Sequence, residues 1–148
     1  MSEHARWQGR YSTPDYLFGK APNYFLASCK ALLPKSGKVL AVADGEARNG
    51  VWLAEQGLDV TSIDFSEAAQ AKAATLAKER GVAITLLHTD VHAWDYPPDA
   101  FDVVVEIFTQ FSTPAERPSC PTSCVTISRK AAPTASASRP SITSPPTF

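Results

Sequence analysis

No apolar run in the chain approaches the roughly 18–20 residues that a helix needs to cross a bilayer. Met1 to Arg10 is polar and lacks the apolar centre of a secretory leader. Together these absences argue against a membrane partner and make the cytoplasm the expected compartment. An excess of charge is also missing, because 14 basic and 15 acidic residues are interspersed and leave a net charge of -1. Without a basic stripe, nucleic acid is not an expected partner, and a small molecule fits better. Cysteine is scarce and odd in number, at three. Cys29, in an apolar helical setting, reads as a packed thiol. Cys120 and Cys124 have no second Cys or His pair nearby, so no metal is expected.

What is present is an alternation of helical and strand-like segments within 148 residues, room for one domain. Pro22 suits the first turn of a helix, and Phe25, Leu26, Cys29, Leu32 and Leu33 recur at helical spacing until Pro34 and Gly37 end it. Lys38 to Val42 is a short apolar strand that enters a turn-like stretch from Ala43 to Gly50, and Val51 to Gln56 reads as a helix closed by Gly57. Asp59 to Ile63 is a second strand. Ser66 can cap a helix that runs to about Arg80 before Gly81, and its alanine-rich interior allows close approach to a sheet. Ala83 to His88 and Phe101 to Glu106 are the third and fourth strands. Such alternation predicts an α/β fold with a Rossmann-like, mainly parallel sheet and helices on both faces.

The pattern changes after about Arg117. Ser, Thr, Pro and Ala then dominate to Phe148 and no acidic residue remains. A helix starting at Thr113-Pro114-Ala115-Glu116 would meet Pro118 and Pro121 at once. The expectation is therefore a folded domain over 1–117, and over 118–148 a disordered tail arising from a displaced reading frame or truncation.

The chemistry gathers at strand ends. In a βαβ unit the loop after the first strand and the end of the second strand emerge side by side, where a nucleoside can bridge them. The spacing from Gly45 to Asp64 suits a carboxylate that accepts hydrogen bonds from both ribose hydroxyls. Asp90, just after the third strand, can accept from an adenine amino group, although a cap or solvated turn would use it equally well. Gly45 and Gly50 fall short of G-x-G-x-x-G spacing, which disfavours a nicotinamide oxidoreductase without removing it as an alternative. A non-catalytic nucleoside-binding remnant is the other alternative. His88 and His92 read as structural or solvated.

Several segments together carry a family resemblance: Tyr11-Ser12 with Asp15-Tyr16-Leu17-Phe18-Gly19, Val39-Leu40 leading into Gly45-Glu46-Ala47-Arg48-Asn49, Val60-Thr61-Ser62-Ile63-Asp64-Phe65-Ser66, and Phe101-Asp102-Val103-Val104-Val105. Over Trp7 to Phe111 the chain resembles the class I S-adenosylmethionine-dependent methyltransferases and is similar to small bacterial tellurite-resistance and thiopurine types. The resemblance implies S-adenosyl-L-methionine as cofactor and a small-molecule methyl acceptor. It implies that Gly45 with its neighbours Asp44, Glu46, Ala47 and Asn49 meets the methionine and adenosine portions, that Asp64 holds the ribose, and that Phe65, Asp90 and the Val91 amide contact the adenine. Glu106 joins the cofactor-binding set and is the only obvious carboxylate for a general base, though no catalytic residue is assigned.

The chain departs from the family pattern at Ala41, where an acid often ends the first strand, and at Ala43 and Ala47, where glycines are usual. The Ala47 methyl is expected to crowd the cofactor. Trp7, Tyr11, Tyr16 and Phe18 either form a lid over the sulfonium or pack the first helix on the sheet. A complete fold of the family has seven strands and about four are legible here, so an open sheet edge suited to self-association and a reduced activity are also expected.

Overall fold

The computed structural model describes residues 1–107 and, as backbone, 123–127 and 141–143. Its elements are α1 (Glu3–Tyr11), α2 (Tyr24–Ser28), a 3-10 turn (Lys30–Leu32), β1 (Lys38–Val42), α3 (Arg48–Glu55), β2 (Asp59–Asp64), α4 (Glu67–Arg80), β3 (Thr85–His88), β4 (Val103–Ile107), β5 (Ser123–Ile127) and β6 (Ser141–Thr143). The sheet order is β3-β2-β1-β4-β5-β6. β1 pairs in parallel with both β2 and β4, and β2 with β3, which gives the four-stranded parallel core expected of a Rossmann-like fold.

Both faces of β1 are buried, so its sequence is apolar without alternation. Val39 and Ala41 meet Leu26 of α2, Leu53 of α3, Val60, Val103 and Val105 on one face. α4 extends this layer by packing Ala73, Leu76 and Ala77 on Ala47 and Val51. The Ser66 hydroxyl caps α4 by accepting from the Ala69 amide at 3.2 Å, and Gly81 ends it at a φ of 68°. Fully burying leucines such as Leu26, Leu53 and Leu76 contributes about 2 kcal/mol each.

Among the described residues, the opposite face is covered by a connection and not by a helix. Leu40, Val42 and Ile63 are covered by Val91, Trp94 and Phe101 from the 89–102 connection, which contains no helix. Pro97 and Pro98 explain this, since neither supplies an amide and each restricts the residue before it. The first expected helix is likewise shorter than its periodicity implies, being one α turn followed by the 3-10 turn.

α1 was not anticipated, although its signals are legible: Ser2 accepts from the Ala5 amide, Glu3 lies in the first turn and Arg10 in the last. In the tail, expected to lack structure, β5 pairs antiparallel with β4 and β6 with β5. The edge of β4 is therefore covered, and among the described strands β3 and β6 lie at the two margins of the sheet. The expected helix at Thr113 and the rest of the tail lie outside the described residues. No helix among the described residues is long and apolar enough to cross a membrane.

Candidate nucleoside-binding site

Parallel pairing of Val42 with Ile63 brings the ends of β1 and β2 to the same sheet margin. The loop after β1 is tight, with Ala43, Gly45 and Ala47 all left-handed at φ of 50°, 58° and 60°. Its register on β2 is fixed by the Asp44 amide donating to the Ile63 carbonyl at 3.1 Å and the Gly45 amide donating to Asp64 Oδ2 at 2.9 Å. Asp64 Oδ1 accepts from the Ser66 amide at 2.8 Å. Burial raises the Asp64 carboxyl above its usual range, while these amide bonds pull the other way.

Asp44 also turns inward. Its Oδ2 accepts from the Ser62 hydroxyl at 2.9 Å and the Gly50 amide at 3.2 Å. Burial pushes its carboxyl up to about 7, against the Ser62 bond and with help from the nearby Asp64 charge. Glycine at position 50 leaves room for this carboxylate, because a Cβ there would press on Asp44 Oδ2 and force it to shift.

α1 roofs this margin. Gln8 Oε1 accepts from the Ser66 hydroxyl at 2.7 Å and the Ala68 amide at 3.3 Å, which pins α1 to the start of α4. His4 stands edge-on to Phe65, with ring centroids 5.4 Å apart, and Trp7 stacks on Tyr11 at 5.6 Å. Tyr11 lies over the loop so closely that a Cβ on Gly45 would come 2.5 Å from its hydroxyl. Burial raises the Tyr11 phenol well above its ordinary value, reinforced by Asp64, Glu46 and Asp44. The space between roof and strand ends is a cavity of about 450 Å³.

Six of the ten expected site residues line this cavity: Asp44, Asn49, Asp64, Phe65, Asp90 and Val91. Gly45 lies beneath it, under Tyr11. Glu46 faces elsewhere, its buried carboxylate accepting from the Leu17 amide and from Lys72 Nζ, both at 2.7 Å. Lys72 Nζ also donates to the Asp15 carbonyl at 2.6 Å, so this ion pair fastens the 12–23 strap to α4. Ala47 directs its methyl into the α3–α4 contact rather than toward a ligand, and the cost of alanine there is backbone strain instead of crowding. Glu106 does not line the cavity. Ile107 does, because successive strand residues face opposite sides. Burial raises the Glu106 carboxyl on its own side of the sheet.

Of the four aromatics, Trp7, Tyr11 and Phe18 line the cavity. Tyr16 instead packs on α4 and donates to the Lys72 carbonyl at 3.0 Å. The sequence reading missed Ser2, Glu3, His4 and Arg48 as lining residues; the first three follow from recognising α1, and Arg48 stood within the motif already singled out. His88 Nε2 lies 2.9 Å from the Phe65 carbonyl, and His92 lines the cavity. No group of three or more metal-ligating side chains occurs among the described residues.

The two carboxylates, the aromatic roof and the strand-end loop suit a ligand with hydroxyl donors and a planar base. Three solved structures share this fold. A SAM-dependent methyltransferase from Geobacter sulfurreducens, in complex with S-adenosyl-L-homocysteine, is 24% identical with a TM-score of 0.51, over 64% of this chain and 40% of that one. One from Thiobacillus denitrificans, in the same complex, is 20% identical with a TM-score of 0.52, over 70% and 42%. A putative one from Methanococcus maripaludis is 18% identical with a TM-score of 0.54, over 59% and 42%. This chain spans about two fifths of the length of each. No curated protein matches it. Residues 39–132, well over half of the chain, match a family described as a methyltransferase domain, and the match continues past Arg117, where the composition changes. The chain belongs to the methyltransferase-domain family.

Proposed function

We propose that the chain binds S-adenosyl-L-methionine in the cavity beneath α1 and serves methyl transfer to a small-molecule acceptor. The observation that carries this reading is Asp64: a carboxylate at the end of β2, facing the cavity and bonded to the Gly45 amide of the loop after β1. Each carboxylate oxygen has two acceptor sites. The Gly45, Ser66 and Phe65 amides all bond to this carboxylate, and the acceptor capacity that remains is available to a ribose hydroxyl. Phe65 and Val91 supply apolar surface for the base, and Asp90 an acceptor for its amino group. Trp7 Nε1, buried without a hydrogen-bond partner among the described residues, adds a donor in the roof.

The bound cofactor supplies an electrophilic methyl on a sulfonium. Displacement from sulfur requires alignment and a dry site more than proton transfer. α1 roofs the cavity, and Tyr11, whose phenol is raised further above its ordinary value by burial, borders it as a neutral hydroxyl. Calorimetric titration of the purified chain with S-adenosylhomocysteine and, separately, NAD tests the reading. Binding of the first and not the second is expected. Preference for NAD, or no binding of either, would overturn it.

A further inference from the structure

We propose that Gln8 is a positioning residue of this site, a latch that holds the His4, Trp7 and Tyr11 side of α1 over the bound nucleoside. The assignment rests on the cofactor reading above and gives a role to a residue that lies outside the cavity lining.

α1 presents two neighbouring stripes. His4, Trp7 and Tyr11 recur at spacings of three and four, so they share one face, and all three line the cavity. Gln8 follows Trp7 by one residue, which turns it from that face toward α4, the element on which α1 rests. The two ends of α1 are held unequally. Tyr11, its buried residue, lies over the Gly45 loop, whereas residues 1–6 are exposed. Between them Gln8 Oε1 accepts from the Ser66 hydroxyl at 2.7 Å and the Ala68 amide at 3.3 Å. The placement of His4 against Phe65 therefore depends on the turn that Gln8 fixes.

The anchor point is itself part of the site. The Ser66 hydroxyl that donates to Gln8 also accepts from the Ala69 amide, and the Ser66 amide donates to Asp64 Oδ1. α4 thus begins with its Ala68 amide satisfied by Gln8 and its Ala69 amide by Ser66, two of the donors that a helix start leaves over. One turn, 64–66, carries the ribose carboxylate, the Phe65 ring and the latch. A ligand held between that turn and the roof touches both sides of the Gln8 bonds, so closing the latch and binding the nucleoside favour one another. By linkage the two effects are equal in size. Trp7 Nε1 is buried in the roof without a partner among the described residues, a cost that an acceptor on the ligand removes.

The test reads binding kinetics and the latch together. Both Gln8 bonds end on its side-chain oxygen, so Gln8→Met removes them at similar side-chain length and Gln8→Glu keeps an acceptor. Stopped-flow tryptophan fluorescence on the full chain gives the rates for S-adenosylhomocysteine. Gln8→Met is expected to release the ligand about tenfold faster, with association within about threefold of wild type, and Gln8→Glu should stay within about threefold of wild type in both rates. Unchanged release from Gln8→Met would overturn the latch. Equal acceleration in the Met and Glu variants would overturn it as well, because packing at position 8 and not its oxygen would then be at work. A second measurement needs no variant. In wild type, hydrogen exchange at the Ala68 amide, a donor to Gln8, should slow about tenfold when S-adenosylhomocysteine binds, matching the affinity lost in Gln8→Met. Exchange at Ala68 that the ligand leaves unchanged would overturn the proposal even if Gln8→Met failed to fold. Failure of S-adenosylhomocysteine to bind wild type would instead overturn the cofactor reading and the latch with it.

Discussion

The Gly45 amide donates to Asp64 Oδ2 across 19 residues of sequence, at 2.9 Å, and so joins the loop after β1 to the end of β2. Asp64 thereby has two duties, shaping the loop and facing the cavity. Asp64→Ala removes both, and S-adenosylhomocysteine affinity should fall about tenfold to a hundredfold, the value of charge-assisted bonds to a carboxylate. The amides of Gly45, Ser66 and Phe65 would also lose their acceptor, so stability should drop by about 1–3 kcal/mol. Calorimetry reads the first effect and urea denaturation the second. Undiminished affinity in a folded variant would remove Asp64 from the site.

Ala43 and Ala47 hold left-handed backbone that glycine adopts without strain. The conformation costs an L-residue roughly 1–2 kcal/mol, and glycine returns about 0.5–1 kcal/mol of this through its freer unfolded chain. Ala43→Gly and Ala47→Gly should each stabilise the protein by about 0.5–1 kcal/mol in urea denaturation. Ala47→Gly should show the smaller gain, because its methyl is fully buried against α3 and α4. Destabilisation by Ala43→Gly would contradict the strain argument.

Glu46 and Lys72 form the most buried ion pair described, with side chains 4% and 16% exposed. Removing one partner of a buried pair leaves the other uncompensated, at about 3–5 kcal/mol, and the partial exposure of Lys72 places the expected loss near the lower figure. Glu46→Ala also frees the Leu17 amide. It should therefore lower stability by about 3 kcal/mol and speed proteolytic cleavage within 12–23, and both are measurable on one sample. A stable variant with an unchanged cleavage pattern would show that the strap is held by other contacts.

The legible parts of the molecule are those set by local chemistry. β1 has the bounds its apolar run predicts, and α4 has the cap and the closing glycine that Ser66 and Gly81 announce. Asp64 was legible because strand-end spacing alone fixes its place. Orientation was less so. Glu46 stands in the loop motif yet faces Lys72, a partner 26 residues away that no spacing rule reveals. Glu106 and Ile107 differ by one residue, and only the register of β4 on β1 decides which meets the cavity. The helix-free 89–102 connection over the second face goes with Pro97 and Pro98, plain in the sequence but weighed less than the general expectation of helices on both sides. β5 rests on pairing with β4 and β6 on pairing with β5, long-range terms that composition does not record.

Asp44 makes both stability and binding depend on pH. Its carboxyl is raised from 3.8 to about 7, so between these values the folded chain holds a proton that the unfolded chain has lost. Stability contributed by this group is then present below about pH 4 and falls as pH rises, the loss being complete above about 7. Asp64 and Glu106 are also raised, so the measurement is the difference between wild type and Asp44→Asn, in which their contributions cancel. The variant should melt at higher temperature than wild type at pH 8, and the gap should close toward pH 4. Binding has the opposite sign, because a cationic ligand beside Asp44 favours the ionised carboxylate and expels the proton. For a group titrating near 7, affinity for S-adenosylmethionine should rise about tenfold from pH 6 to pH 8 in wild type and stay nearly flat in Asp44→Asn. Calorimetry in buffers of different ionisation enthalpy counts the released proton directly. Equal pH slopes in the two proteins, with no proton released near pH 7, would show that Asp44 does not face the cationic end of the ligand.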